Sequence, residues 1–154
     1  MKIVVDSNIV FSAILNTRSN IGQIITIGAK HYDFYTTYLL KVEILNHKHK
    51  IQKITGFNDE RFTEIFELIT SKIRFVDEIL LSNKDLESAL LLTRDIDEDD
   101  TLFVALTNHI DGKLWTGDKR LEKGLKKKNY TRLITTNELF NDFIKKEIIS
   151  KRFI

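Results

Sequence analysis

Between Asp95 and Asp100 the chain packs five acidic residues into six positions: Asp95, Asp97, Glu98, Asp99 and Asp100. A carboxylate at the start of a helix is favoured by the exposed N–H groups there. Asp99 or Asp100 therefore has a plain reading as the cap of the helix marked by Leu102, Phe103, Ala105, Leu106 and Ile110. Five acids exceed what a cap requires. Carboxylates crowded together repel one another and retain protons unless a cation intervenes. The chain has no cysteine, and His31, His47, His49 and His109 lack the His-Glu-x-x-His spacing of a helical zinc site. Oxygen donors alone suit Mg2+ or Mn2+ better than zinc. A hard cation so held lowers the pKa of a bound water, orients it and stabilises charge developing on a phosphoryl oxygen.

The elements around these acids read as alternating strands and helices. Lys2 to Val5 is a short β-branched run, expected as a buried parallel strand, and Asp6 ends it. Ser7 and Asn8 are expected to cap the next helix, which leaves Asp6 free at the carboxyl edge of a sheet, where ligands bind in open α/β folds. The competing reading makes Asp6 a turn or cap residue. Lys113 to Thr116 is a second such strand, Gly117 allows a tight turn, and Asp118 follows. Strand ends and helix starts share one edge of a parallel sheet, so Asp6, Asp100 and Asp118 can converge there. Glu43, in the first turns of a helix that Thr37 is expected to cap, is a candidate fourth.

Further strands are expected at Phe34 to Thr36, Ile73 to Val76 and Arg132 to Thr135. Further helices run from Ser19 or Asn20 to a C-cap near Gly28, from Leu39 through Ile54 to a break at Gly56, from Asn58 or Asp59 through Ile69, after Asn83, over Lys119 to Lys128, and after Thr136 or Asn137. The order predicts the α/β class, as a three-layer α/β/α sandwich with a mainly parallel central sheet. One domain accounts for all 154 residues, with a helical hairpin at about 38–72.

A net charge of +2 does not by itself point to nucleic acid, but its distribution is uneven. Lys119, Arg120, Lys123, Lys126, Lys127, Lys128 and Arg132 stand against Glu122 alone just after Asp118. Such a run would hold a polyanion beside the acids, with binding that weakens steeply in salt; its bland reading is a solvated helix end. The lack of cysteine excludes disulfides and is compatible with a reducing cytosol. The N-terminus does not read as a signal peptide, and no apolar run approaches the roughly 20 residues that span a bilayer. A cytoplasmic protein with no membrane partner is expected.

Taken in order, VDSNIVFSAIL, Glu43 in a following helix, DEDDTLFVAL and LWTGDKRL resemble the PIN domain family in its prokaryotic VapC-like branch, over essentially the whole chain. The resemblance implies a Mg2+- or Mn2+-dependent endoribonuclease that cleaves RNA with activated water, leaving 5′-phosphate and 3′-hydroxyl ends. It implies Asp6, Glu43, Asp100 and Asp118 as the acidic cluster, with Asp6, Asp100 and Asp118 as metal ligands and Asn8 and Thr116 in support. Asp97, Asp99 and Asp100 compete for the third acid. Asp100 is preferred because it lies three residues before Phe103 and seven before Thr107 on the inward face of the helix; Asp97, acting through water, is second. Lys119, Arg120, Lys123, Lys126, Lys127 and Lys128 would contact RNA. The toxin branch further implies a cognate antitoxin protein and often a homodimer.

Two other classes compete. A catalytically weak module of the same fold would bind RNA or dock a partner; retention of all four acids disfavours it. A phosphoacceptor receiver domain expects paired acids after strand one and a phosphorylatable Asp after a middle strand, and neither is present. A dinucleotide-binding fold would carry a glycine-rich loop after strand one, which is also missing.

Overall fold

The computed structural model describes residues 1–152; the last two residues of the expected domain lie outside the described residues. Ile3, Val4 and Val5, fully buried, form most of β1 (Lys2–Val5). In order there follow α1 (Ser7–Leu15), α2 (Asn20–Thr26), β2 (Asp33–Thr37), α3 (Leu39–Asn46), α4 (Lys48–Thr55), α5 (Asp59–Thr70) and β3 (Arg74–Val76). The second half comprises α6 (Asn83–Thr93), α7 (Thr101–His109), β4 (Lys113–Trp115), α8 (Lys119–Lys127), β5 (Leu133–Ile134) and α9 (Thr136–Arg152). Short 3-10 turns occupy Gly28–Lys30, Glu78–Leu80 and Glu98–Asp100.

The five strands form one sheet in the order β3-β2-β1-β4-β5, with every neighbouring pair parallel. Helix α7, whose residues Phe103 to Thr107 are all buried, lies against β1, β2 and β4, and α6 packs on it. A second group of helices, α1, α2, α5 and α9, pack on one another. The result is the expected three-layer α/β/α sandwich. Its largest buried side chain, Trp115, donates its indole N–H to Thr136 Oγ1 at 2.9 Å, so the core tryptophan carries no unpaired polar atom. Among the described residues no helix is long and apolar enough to cross a membrane.

The helix starts differ from expectation in instructive ways. Asp6, not Ser7 or Asn8, caps α1 by accepting the Ile9 N–H at 3.0 Å. Thr37 does not cap α3; Glu78 reaches across and accepts the Leu39 N–H at 2.9 Å. Thr135, rather than Thr136 or Asn137, accepts the Glu138 N–H at 3.1 Å at the start of α9, because Thr136 is committed to Trp115. The expected single helix from Leu39 to Ile54 is two, broken at His47, whose backbone leaves helical geometry at φ −99° and ψ 10°. Helix α4 does end at Gly56, in the left-handed conformation glycine tolerates. Gly28 opens a 3-10 turn instead of closing α2, which Ile27 ends.

Candidate active site

The strand order reverses between β1 and β4: β2 and β3 lie to one side of β1, β4 and β5 to the other. A crevice opens outside the carboxyl ends of the strands at such a point. Val5 is level with Trp115 in the parallel register, so Asp6 and Thr116 leave the sheet side by side.

Asp6 is 1% exposed. Its Oδ1 caps α1 and its Oδ2 accepts a hydrogen bond from Thr116 Oγ1. These bonds favour the charged form, but burial outweighs them and, with the nearby Asp118 charge, pushes its pKa up to about 6. Thr116 Oγ1 in turn accepts the Asp118 N–H at 3.0 Å, so one hydroxyl joins the two acids. Asp118 caps α8 through Oδ1, which accepts the N–H groups of Arg120 at 2.9 Å and Leu121 at 3.2 Å. Capping and a place in the cluster are thus not alternatives for these residues: a carboxylate has lone pairs enough for both.

The acidic run reaches the same crevice by a 3-10 turn. Asp97 Oδ1 accepts the Asp99 N–H at 3.0 Å and starts it, and Asp100 closes it. The following residue, Thr101, shares a 2.7 Å hydroxyl contact with the buried Thr93, which ties the turn to the end of α6. Asp100 makes no capping bond to α7, and its Oδ2 is buried without a hydrogen-bond partner. Burial, followed by the charges of Asp6, Asp97, Asp118 and Glu43, pushes its pKa up to about 7. Glu43, half-buried on α3, is also held above the usual carboxylate range, first by burial and then by Asp99 and Asp97.

Asp6, Glu43, Asp97, Asp100 and Asp118 therefore share one electrostatic neighbourhood, with Thr116 inside it. Exposed Asn8 lies beside Glu43 at its margin. Lys119, Arg120, Lys123 and Lys127 line a cleft of about 550 Å³ together with Ile96 and Gly124. Lys126 is paired with Glu122 at 2.7 Å and does not line it. Lys128 reaches the cleft but is engaged by Asp95 and by the Leu92 carbonyl at 2.8 Å. Sequence reasoning missed Phe11, His47 and Lys50, which border Glu43 on its other side. Phe11 alone carried a signal, one helical turn after Asn8; the position of His47 depends on the break between α3 and α4.

Among the described residues no three His, Cys, Asp or Glu side chains stand close enough to hold a metal ion as they are. The donor set nevertheless fits a hard cation: it is all oxygen, it is electrostatically strained, and it contains one buried, unpartnered carboxylate oxygen.

No curated protein matches the chain. Among solved structures, it is similar to VapBC2 from Rickettsia felis bound to a DNA fragment from their promoter, with 16% sequence identity, a TM-score of 0.64, and coverage of 88% of this chain and 98% of that one. That identity speaks to the fold. The PIN domain family itself matches residues 4–140, a span that contains Asp6, Glu43, the acidic turn and Asp118. The chain belongs to the PIN domain family.

Proposed function

We propose that the protein is a metal-dependent endoribonuclease of the VapC-like kind, the toxin of a type II toxin–antitoxin pair acting in the cytoplasm. The observation that carries this reading is the meeting of Asp6, Asp100, Asp118 and Glu43 at the switch point of the sheet, with Asp100 Oδ2 buried and unpartnered. Asp6, Asp100 and Asp118 would hold Mg2+ or Mn2+. When bound, such a cation supplies a more acidic water and stabilises charge on the phosphoryl oxygens.

The chain's own residues do the rest. Thr116 fixes the Asp6 carboxylate, and the α1 N-terminus holds it from the other side. Asp118 is fixed by α8 in the same way. Lys119, Arg120, Lys123 and Lys127 bind the RNA backbone in the adjoining cleft. Glu43, outside the metal-ligand set and held above the ordinary carboxylate range by burial, suits acceptance of a proton from the attacking water. The water oxygen bonds to phosphorus, the bond from phosphorus to O3′ breaks with its electron pair passing to O3′, and O3′ takes a proton from solvent, leaving a 5′-phosphate and a 3′-hydroxyl.

The partner of the Rickettsia felis structure supports an antitoxin for this chain as well, and a homodimer is proposed with it. Purified protein should cleave a mixed structured RNA with Mg2+ or Mn2+ and not in EDTA, while the Asp6→Asn protein is inactive. A folded, inhibitor-free protein that leaves RNA intact under every condition would overturn the nuclease reading. Expression alone should arrest growth, and the small protein encoded beside it should relieve the arrest; growth unaffected by an active nuclease would remove the toxin role.

A further inference from the structure

Glu43 faces more than the other acids. Between α1 and the junction of α3 with α4 lies a pocket of about 120 Å³. Phe11 and His47 wall it, buried Ile44 closes it, and Asn8, Glu43 and Lys50 provide its polar rim. The two rings meet edge to face, with centroids 6.3 Å apart and planes at 82°, so they form adjacent walls of a corner. Exposed Lys50 places its Nζ over the Phe11 ring, 5.7 Å from the centroid. Ser7 Oγ, also in the lining, is buried and faces the Glu43 carboxylate, whose charged form it favours.

An aromatic corner with a few polar groups at its edge is the composition of a site for a flat heterocycle. Unpaired bases of RNA are held by stacking on aromatic or histidine rings and by hydrogen bonds to their edges. We infer that this pocket receives one nucleobase of the RNA strand, adjacent to the phosphodiester presented to the acids. The base stacks on Phe11 against the edge of His47, Asn8 reads its edge with an amide that both donates and accepts, and the exposed Lys50 side chain swings off the ring to take a neighbouring phosphate. This rests on the ribonuclease reading and deepens it. A nucleobase is favoured over a protein side chain because the pocket shares Glu43 with the acidic cluster and carries a lysine at its mouth. A polyanionic strand whose phosphate lies at the acids has its next base within reach.

The test uses short single-stranded RNAs cleaved at one bond, in which each base flanking that bond is replaced in turn by an abasic ribose. Cleavage efficiency is compared for wild type, Phe11→Leu and His47→Ala. Stacking of one base on an aromatic ring corresponds to roughly five- to hundredfold in affinity. At one flanking position, removal of the base should cost the wild type about tenfold or more and the Phe11→Leu protein less than about threefold, since the two deletions remove the same contact. His47→Ala, at an exposed position, gives the same reading should Phe11→Leu fail to fold.

A base effect of equal size in wild type and variants overturns the inference, even where Phe11→Leu weakens a protein partner. If the wild type cleaves no RNA, the ribonuclease reading falls, and equilibrium binding of the same oligomers decides the pocket separately. Binding that needs the base and loses that need in Phe11→Leu sustains it; binding indifferent to the base sinks it.

Discussion

Replacing Asp100 with Asn should separate the electrostatic cost of the acidic cluster from its use. Asp100 Oδ2 is buried without a partner, and burial plus four neighbouring carboxylates push the pKa up to about 7 from 3.8. The folded protein therefore keeps a proton that the unfolded chain has already released. Stability contributed by this group is lost as pH rises from about 4 through about 7, and the loss is complete above that. At about 1.4 kcal/mol per pH unit, the full gap corresponds to a ceiling of about 4 kcal/mol. Part of the side chain meets solvent, and the Asp6 charge that raises its pKa is itself only partly present near pH 6, where Asp6 titrates. A working value of about 2 kcal/mol follows after that discount.

Asparagine matches aspartate in shape and carries no charge at any pH. In EDTA at pH 8, Asp100→Asn should therefore be more stable than wild type by about 2 kcal/mol, or roughly 4–8 °C in Tm for a domain of this size. The difference should shrink towards zero near pH 4. Urea midpoints and thermal melts at pH 4, 6 and 8 measure it. Millimolar Mg2+ or Mn2+ should raise the wild-type Tm by mass action and move the variant much less. A variant no more stable than wild type at pH 8, or a difference independent of pH, would refute the reasoning: the cluster would then be relaxed as it stands.

Asp118→Asn should abolish cleavage while leaving Tm nearly unchanged, because Asn caps a helix about as well as Asp, to within about 0.5 kcal/mol; a large drop in Tm would make its loss of activity uninformative about ligation. Replacing Lys119, Lys123 and Lys127 with Gln should weaken RNA binding and lower the slope of log affinity against log salt by about 2, at about 0.7 per phosphate contact on single strands. Lys126→Gln, whose ammonium is already held by Glu122, should leave the slope nearly unchanged in the same anisotropy titrations. A methyl added at Gly124 would run into Ile96 Cδ1, so Gly124→Ala should cost about 1–3 kcal/mol and reduce cleavage by displacing the acidic turn; Ile96→Ala in the same protein should restore both, as read by melts and cleavage rates.

Strands β1 and β4 were legible because each ends a short apolar run at a polar residue: Val5 before Asp6, and Trp115 before Thr116. Their neighbourhood in the sheet was only partly so. Alternation of strands and helices implies a parallel sheet, but the order β3-β2-β1-β4-β5 depends on which side of β1 each crossover returns to, and no local pattern records that. Caps were misassigned where a distant group supplied the partner. Glu78 serves Leu39, and Trp115 takes Thr136 out of contention. The aromatic corner at Phe11 and His47 was hidden for the same reason. It exists only because α3 and α4 part at His47, and the run from Leu39 to Ile54 reads as one helix.

The acids also divide by how they are held. Asp6 and Asp118 each commit one carboxylate oxygen to the N-terminus of a helix and are linked through the Thr116 hydroxyl, so their positions are set by the fold. Asp100 has no cap to make and one oxygen with nothing to bind. It is the member on which the repulsion of the others accumulates. A site assembled this way is stable at pH 8 only to the extent that the rest of the core outweighs it, and a cation would gain affinity by relieving the strain. Substitutions that remove the strain should therefore stabilise the fold while removing function. Asp100→Asn should show that opposition most sharply, because the same side chain carries both the unpartnered oxygen and the largest share of the repulsion.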